Sequence, residues 1–364
     1  VTDSSYDGLR RLLSQSVAGQ TIATLAYDSQ DNVTSVTDAR GHVTTYSYDD
    51  LGHVRSITSP DAGTITTAVD AAGNVLSQTN ARNQAISLSY DALNRPLGLS
   101  YPGAARDLVF TYGPGGRLTG VQEEEGSRSF SYNSLGQLTS ETRTQGAATA
   151  TIGYGYDTLT GALVSMTYPS GNTLSFSRDQ NGQISAIQFG GQPLVSNINR
   201  LPFGPVKSAT LGSLSLTRSY DQRYQISAIR AGAMQLGYTR DAAGQVTAVT
   251  GIEEPVATSA TETFTIDPAS NRMTAAGTAA ATYDASGNLT SDGVRTLTWD
   301  ALGRLVKVEQ NGTVTATYGY DSQNRRIRKT VGGRTVYYHY DLDNQLIAET
   351  LADGTTLREY VYLD

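Results

Sequence analysis

At 364 residues the chain has room for two or three ordinary domains, but its make-up excludes several function classes at once. A formal charge of −7 gives no basic footprint for nucleic acid, and the absence of Cys rules out a disulfide framework or a thiolate zinc site. No apolar run reaches the ~18 residues of a transmembrane helix, while 37 Gly, 22 Tyr and many Thr point to strands and turns.

In chain order, a Tyr-Asp pair recurs: Tyr6-Asp7, Tyr27-Asp28, Tyr48-Asp49, Tyr90-Asp91, Tyr156-Asp157, Tyr220-Asp221, Tyr283-Asp284, Tyr320-Asp321 and Tyr340-Asp341. Degenerate copies fill the intervals at Val69-Asp70, Tyr112-Gly113, Tyr132-Asn133, Arg178-Asp179, Arg240-Asp241, Ile266-Asp267 and Trp299-Asp300. A period of about 21 residues over some sixteen copies means an array of one small unit. The opening VTDSSYDGLRRLL lacks the basic-then-apolar order of a signal peptide. It reads as the tail of an earlier repeat, and the closing REYVYLD as a cut strand.

One unit is legible in residues 43–58. Tyr46 and Tyr48 alternate with Ser47, so both rings lie on one face of a strand. Asp49 opens a turn in which its carboxylate accepts backbone N–H groups, and Gly52 takes the left-handed conformation of a type I turn with a G1 bulge. The same reading covers Asp70/Gly73, Asp91/Asn94, Asp241/Gly244, Asp284/Gly287, Asp300/Gly303, Asp321/Asn324 and Asp341/Asn344. Arg10, Asp31 and Tyr224 hold the fourth turn position without being Gly or Asn, and Gly161 and Asn271 fall one residue late. Each unit is expected to be a hairpin of two strands, with a second, more variable turn leading to the next.

The expected organisation is a first block over 1–183, an irregular insert over 184–219 whose PFGP leaves the sheet as a loop, and a second block over 220–364, all one repeat domain. Residues 250–282, rich in Ala and Thr, promise poor strands. A lone hairpin is unstable, so the units should join one continuous antiparallel sheet. Its accumulated twist should coil it into a spiral or partial shell.

The string YDxxGRL, and WDALGRLVKVEQNGTVTATYGYDSQNRRIRKTVGGRTVYYHYDLDNQLIAET as three successive copies, resemble the YD-repeat or RHS-repeat family. PFGPV followed by LTRSYDQRYQI resembles a segment that interrupts such arrays. The resemblance spans essentially the whole chain. It implies a β-sheet shell, as in bacterial Rhs polymorphic toxins and insecticidal toxin complexes, which enclose a C-terminal toxin domain, or as in the teneurin barrel used in adhesion. It also implies a secreted or cell-surface protein. The family's self-cleaving core has two Asp-Pro elements; Asp267-Pro268 lies in a repeat turn without that motif, so the cleavage chemistry is not carried over.

The structural motif residues are therefore Tyr48, Asp49, Gly52, Asp70, Gly73, Tyr90, Asp91, Asn94, Tyr283, Asp284, Gly287, Trp299, Asp300, Gly303, Tyr320, Asp321, Asn324, Tyr340, Asp341 and Asn344. No catalytic, cofactor or metal residues are assigned. A calcium role for the Asp series is set aside because turn capping already occupies one Asp per repeat. His42, His53 and His339 read as scattered residues, with His42 and His53 in surface turns. Glu123–Glu125 reads as a solvated second-turn loop. Arg95, Arg117, Arg304 and Arg325 are placed to pair with neighbouring turn Asp residues. The function expected is a shell segment and not an enzyme. The partner is an enclosed toxin domain, with surface glycans or secretion proteins as further partners and an extracellular binding module as the alternative.

Overall fold

A computed structural model describes residues 2–103, 107–241, 244–251 and 264–362. Among these the fold is all β, in antiparallel hairpins; the one helical element is the three-residue 3-10 turn Pro114–Gly116. The Tyr-Asp unit is the hairpin expected: strand Val43–Tyr48 pairs antiparallel with Val54–Ser59, which pairs with Gly63–Val69 in turn. Burial alternates along Val43–Tyr48, with Tyr46 and Tyr48 half-buried and Thr45 and Ser47 exposed.

The turn chemistry is also as expected. Asp49 N–H donates to the His53 carbonyl and Gly52 N–H to the Asp49 carbonyl, both at 3.0 Å. Asp49 Oδ1 accepts the N–H groups of Leu51 and His53. Gly52, Gly73, Gly136, Gly244, Gly287, Gly303, Asn94, Asn324 and Asn344 all have positive φ. Arg10, Asp31 and Tyr224 share that conformation despite their side chains. The turn therefore sets the backbone, and the residue adapts to it at a cost of about 1–2 kcal/mol.

The Tyr-Asp hairpins whose register is described also carry a bulge that the repeat pattern did not reveal. Tyr48 pairs with Val54 while Ser47 pairs with Ser56, leaving Arg55 as an extra residue. The same slip follows Tyr27, Tyr90, Tyr156, Tyr220, Trp299 and Tyr320. A bulge at one fixed place in each of these hairpins adds local twist at each repeat.

Three expectations need correction. Among the described residues the ladder runs in three sheets, of 24, 3 and 9 strands, rather than unbroken. The first break coincides with residues outside those described. The short middle sheet is built from Phe264–Ile266, Met273–Ala276 and Ala279–Ala280, where Ala, Thr and Gly bring few large side chains to a cross-strand pair.

Secondly, residues 184–219 are sheet, not an insert. Strands Ile184–Phe189, Gln192–Arg200, Val206–Leu211 and Leu214–Tyr220 pair in succession. PFGP keeps the backbone hydrogen bonds of the repeat turn: Leu201 N–H donates to the Pro205 carbonyl and Gly204 N–H to the Leu201 carbonyl. Leu201 lacks the turn carboxylate, and Pro205 lacks the N–H that carboxylate would accept, so the two losses match. Pro202 supplies the φ that the turn wants after its first residue, and Phe203 follows with a φ of 69°, as in a type II turn rather than a type I turn.

Thirdly, Glu123 is not solvated: it is 1% exposed. The reason lies in the contacts of its own unit, below. The described chain divides into two compact units: residues 1–128 with 261–338, and residues 129–260 with 339–364.

Candidate functional site: hydrogen-bonded repeats and a seam of turns

Consecutive repeats are tied by their pre-turn aromatic residues. Strand Val33–Asp38 pairs with strand Val43–Tyr48 only through Ser35–Thr37. The Val33 carbonyl lies beyond that pairing. The Tyr48 hydroxyl reaches back and donates to it at 2.8 Å. Tyr27, Tyr90, Tyr156, Tyr220 and Tyr320 do the same to Leu12, Val75, Leu138, Val206 and Leu305. Trp299 uses its indole N–H on Leu289 at 2.7 Å. Where the aromatic residue is replaced by Arg, the guanidinium takes over. Arg178, Arg200 and Arg240 each donate to the carbonyl of the preceding repeat, at Leu163, Ile184 and Ile226, and also to the Gly carbonyl of their own turn.

The post-turn residue completes the tie. Arg95, Arg304 and Arg325 each pair with the Asp of their own turn. The guanidiniums of Arg11, Arg95 and Arg304 then lie over the next repeat's ring, Tyr27, Tyr112 and Tyr320, at 4.7, 4.4 and 5.0 Å. Arg11 alone among these also reaches a neighbouring turn carboxylate, Asp31, at 2.6 Å. At Asp28, Asp49, Asp91 and Asp300 the carboxylate oxygen Oδ1 is thus spent on backbone N–H groups and Oδ2 on a side chain, as at Asp70, where Asn74 donates from both backbone and side chain. These bonds hold the carboxyls of Asp70 and Asp91 below the ordinary range, with the Asn74 side chain and the Arg95 backbone N–H the largest respective causes.

In the unit made of residues 1–128 and 261–338, a second level of order appears. The variable second turns of the early repeats meet the Asp turns of the late ones, in register. The turn 38–42 meets 267–272: Arg40 donates to the carbonyls of Asp267 and Ser270, and Asn271 Nδ2 to Asp38 Oδ2 at 2.7 Å. His42 is therefore held between Asp38, 3.2 Å from Nδ1, and the Pro268 carbonyl, 3.1 Å from Nε2. Both favour the cation; its pKa is raised, chiefly by Pro268. One repeat on, the turn around Asp61 meets 271–287. Asn271 N–H donates to Asp61 Oδ1, and a Cβ on Gly287 would sit 2.1 Å from the Asp61 carbonyl oxygen. One repeat further, Arg82 donates to the carbonyls of Trp299 and Asp300, and Asn80 to that of Ala301.

The seam ends on Glu123, Glu125 and Arg128. Glu123 Oε1 accepts from Arg128 Nε at 2.9 Å and from the Ser322 N–H at 3.1 Å, while Arg128 donates onward to Ser322 Oγ and Gln323 Oε1. Glu125 takes a bidentate pair from Arg328 at 2.6 and 3.0 Å. Here Asp321 is 1% exposed and Ile327, an extra bulge residue, is fully buried. A sequence signal for this contact was Gly319, which stands between Tyr318 and Tyr320 at a position where most repeats carry a side chain and only the repeat of Tyr156 shares the Gly, at Gly155. A Cβ there would meet the Glu125 carboxyl at 2.4 Å.

In the unit made of residues 129–260 and 339–364, the matching contact is the turn 168–172 on strand Thr356–Glu359. The Tyr168 hydroxyl donates to the Tyr360 carbonyl at 2.9 Å, and Ser170 and Asn172 donate to Glu359. Tyr168 is 1% exposed and meets Phe189 edge-on at 5.2 Å. His339, 4% exposed, is a core residue: Nε2 lies 2.9 Å from Thr350 Oγ1. Burial, and then the charge of Arg143, push its pKa down to about 4. His42 is likewise drawn into the seam, whereas His53 caps its own turn, Nδ1 lying 3.1 Å from Asp49 Oδ2.

Residues 1–158 and 204–351 match the family described as the teneurin YD-shell. The chain belongs to that family. Among curated relatives, this YD-shell chain is 28% identical over 251 residues to the tRNA nuclease WapA of Bacillus subtilis (strain 168), covering 66% of the chain and 10% of the relative. It is 27% identical over the same length to the tRNA3(Ser)-specific nuclease WapA of Bacillus spizizenii. The chain thus spans about a tenth of these relatives' length. Among solved structures it resembles TcdB2-TccC3, with a TM-score of 0.62 at 14% identity over 99% of this chain and 28% of that one. It also resembles the Photorhabdus luminescens Tc holotoxin pore, with a TM-score of 0.64 at 15% identity, covering 99% of this chain and 27% of that one. These likenesses establish the fold.

Proposed function

We propose that this YD-shell segment is wall: part of a secreted toxin shell that encloses a C-terminal effector domain and holds it apart from its surroundings until delivery. The observation that carries this reading is the register-matched seam. An array built only to display a surface needs hairpins joined side to side. This one also closes the ends of early hairpins onto the turns of late ones, in successive repeats, with a buried ion pair at Glu123 and a half-buried one at Glu125. That geometry suits a barrier. The relatives' names, a tRNA nuclease and a Tc toxin, fit a shell that accompanies a toxic activity residing elsewhere in a longer protein. In this reading the segment itself turns over no substrate and needs no cofactor.

The alternative, a glycan-binding adhesion module, would use free ring faces. Arg side chains cover Tyr27, Tyr112, Tyr283 and Tyr320, and the hydroxyls are spent on backbone carbonyls. The test is protease access in the full-length protein. The C-terminal domain should resist digestion in the wild type and become cleavable when the seam is broken by Glu123→Ala with Arg128→Ala. Equal digestion of both proteins would overturn the wall reading.

A further inference from the structure

The unit of residues 129–260 and 339–364 contains a cavity of about 510 Å³, within the size range of small-ligand sites. Its wall is apolar, formed by side chains such as Leu174, Phe176, Ile198 and Leu216 from successive strands, with Ile347 opposite. Three arginines, Arg178, Arg200 and Arg218, also line it, and so do Asp341 and Asp343. Arg178 and Arg200 spend both terminal nitrogens on backbone carbonyls, and among the described residues neither has a carboxylate partner. Arg218 differs. Its Nε is buried without an acceptor, and among the described residues the side chain has no hydrogen bond, ion pair or ring partner. Asp341 directs Oδ1 to the N–H groups of Asp343 and Gln345, so that oxygen is already committed.

A buried guanidinium nitrogen without an acceptor is costly, and an ionised acceptor repays that most strongly. Arg218 cannot lose its charge to escape the cost. Tyr154, Tyr168, Tyr362 and Gln345 add polar groups to the lining, but its ionised groups are the three arginines and the two carboxylates. We infer that this cavity is a binding site for an amphipathic carboxylate, whose apolar body fills the chamber and whose head group is received by Arg218 with Arg178 and Arg200 beside it. The two aspartates lie in the lining as well, so a head group carrying both signs is a competing occupant that the experiment separates.

Dodecanoate is the probe, titrated calorimetrically into the 364-residue chain, with dodecanol, dodecylammonium and 12-aminododecanoate alongside. Dodecanoate should bind at least tenfold more tightly than each of the others. Arg218→Met, which keeps the stem and removes the charge, should weaken dodecanoate at least tenfold and leave dodecanol unchanged. Arg218→Lys should retain part of the preference for the anion. Melting curves of each variant establish that it is folded. Equal binding of dodecanoate and dodecanol, tighter binding of the amino acid, or an unchanged affinity in Arg218→Met would each overturn the inference. The result is independent of whether the full-length protein shields an effector.

Discussion

The turn at Asp28 and the turn at Asp321 have the same local construction and different surroundings. In both, Oδ1 accepts N–H groups two and four residues on, and Oδ2 accepts from the side chain four residues on. Asp28 stands at a repeat end where its turn bonds and Arg11 are the main company. Asp321 is enclosed, because the next residue's N–H is taken by Glu123 and its neighbours by Arg128. A motif that is repeated in sequence is therefore not repeated in energy. Substitutions that are equivalent in the repeat alignment should separate by where the seam falls.

The largest separation is expected at the buried charges. Glu123→Ala leaves Arg128 enclosed without its carboxylate and should cost about 3–5 kcal/mol, whereas Arg11→Ala at the exposed Asp7/Asp31 pair should cost far less and fade with salt. Urea titrations of both variants, at low and high ionic strength, measure the difference; equal losses would show that the seam carries no special weight.

Glycine substitutions should divide in the same way. Gly287 and Gly41 have φ of 81° and 86°, yet a Cβ at Gly287 would strike the Asp61 carbonyl while nothing lies within 4 Å at Gly41. Gly287→Val should destabilise by about 3 kcal/mol or more, from strain and clash together. Gly41→Val should show strain alone, about 1–2 kcal/mol. Thermal melts of the pair would settle it.

The two histidines give opposite pH dependences. His339 has a folded pKa of about 4, below its ordinary value, so the fold binds its neutral form. Its contribution is present above about pH 6.5 and is lost as pH falls toward 4, roughly 3 kcal/mol in all. His42 is raised, so its contribution is full below the ordinary value and is lost as pH rises through the folded one. Stability followed from pH 4 to 8 in His339→Gln should lose the acid-side slope, and in His42→Gln the opposite one.

The smallest effect is expected at the ties between repeats. Tyr48→Phe removes one hydroxyl donor to Val33 and should cost about 1 kcal/mol. Hydrogen exchange should quicken in the hairpins flanking residue 48 first, while Tyr48→Arg should restore part of the protection, as Arg178, Arg200 and Arg240 do in their own repeats.

The amino-acid sequence determined the hairpin. Asp for the N–H groups, Gly or Asn for the left-handed turn residue and alternating rings before the turn are local requirements, and local chemistry is visible in one unit. It misled at PFGP, because the paired loss of a carboxylate at Leu201 and an N–H at Pro205 resembles a broken motif rather than a conserved shape. The bulge after each turn left no signal, since the residues that occupy it, Arg55, Thr119, Val164 and Ile327 among them, share no chemistry. The tertiary structure alone decided which repeats meet. Glu123 to Arg128 and Ser322, Asp61 to Asn271 and Gly287, and Tyr168 to Tyr360 join residues far apart in the chain. Their burial depends on how many small twists accumulate between them, a sum over the whole array that no single unit contains.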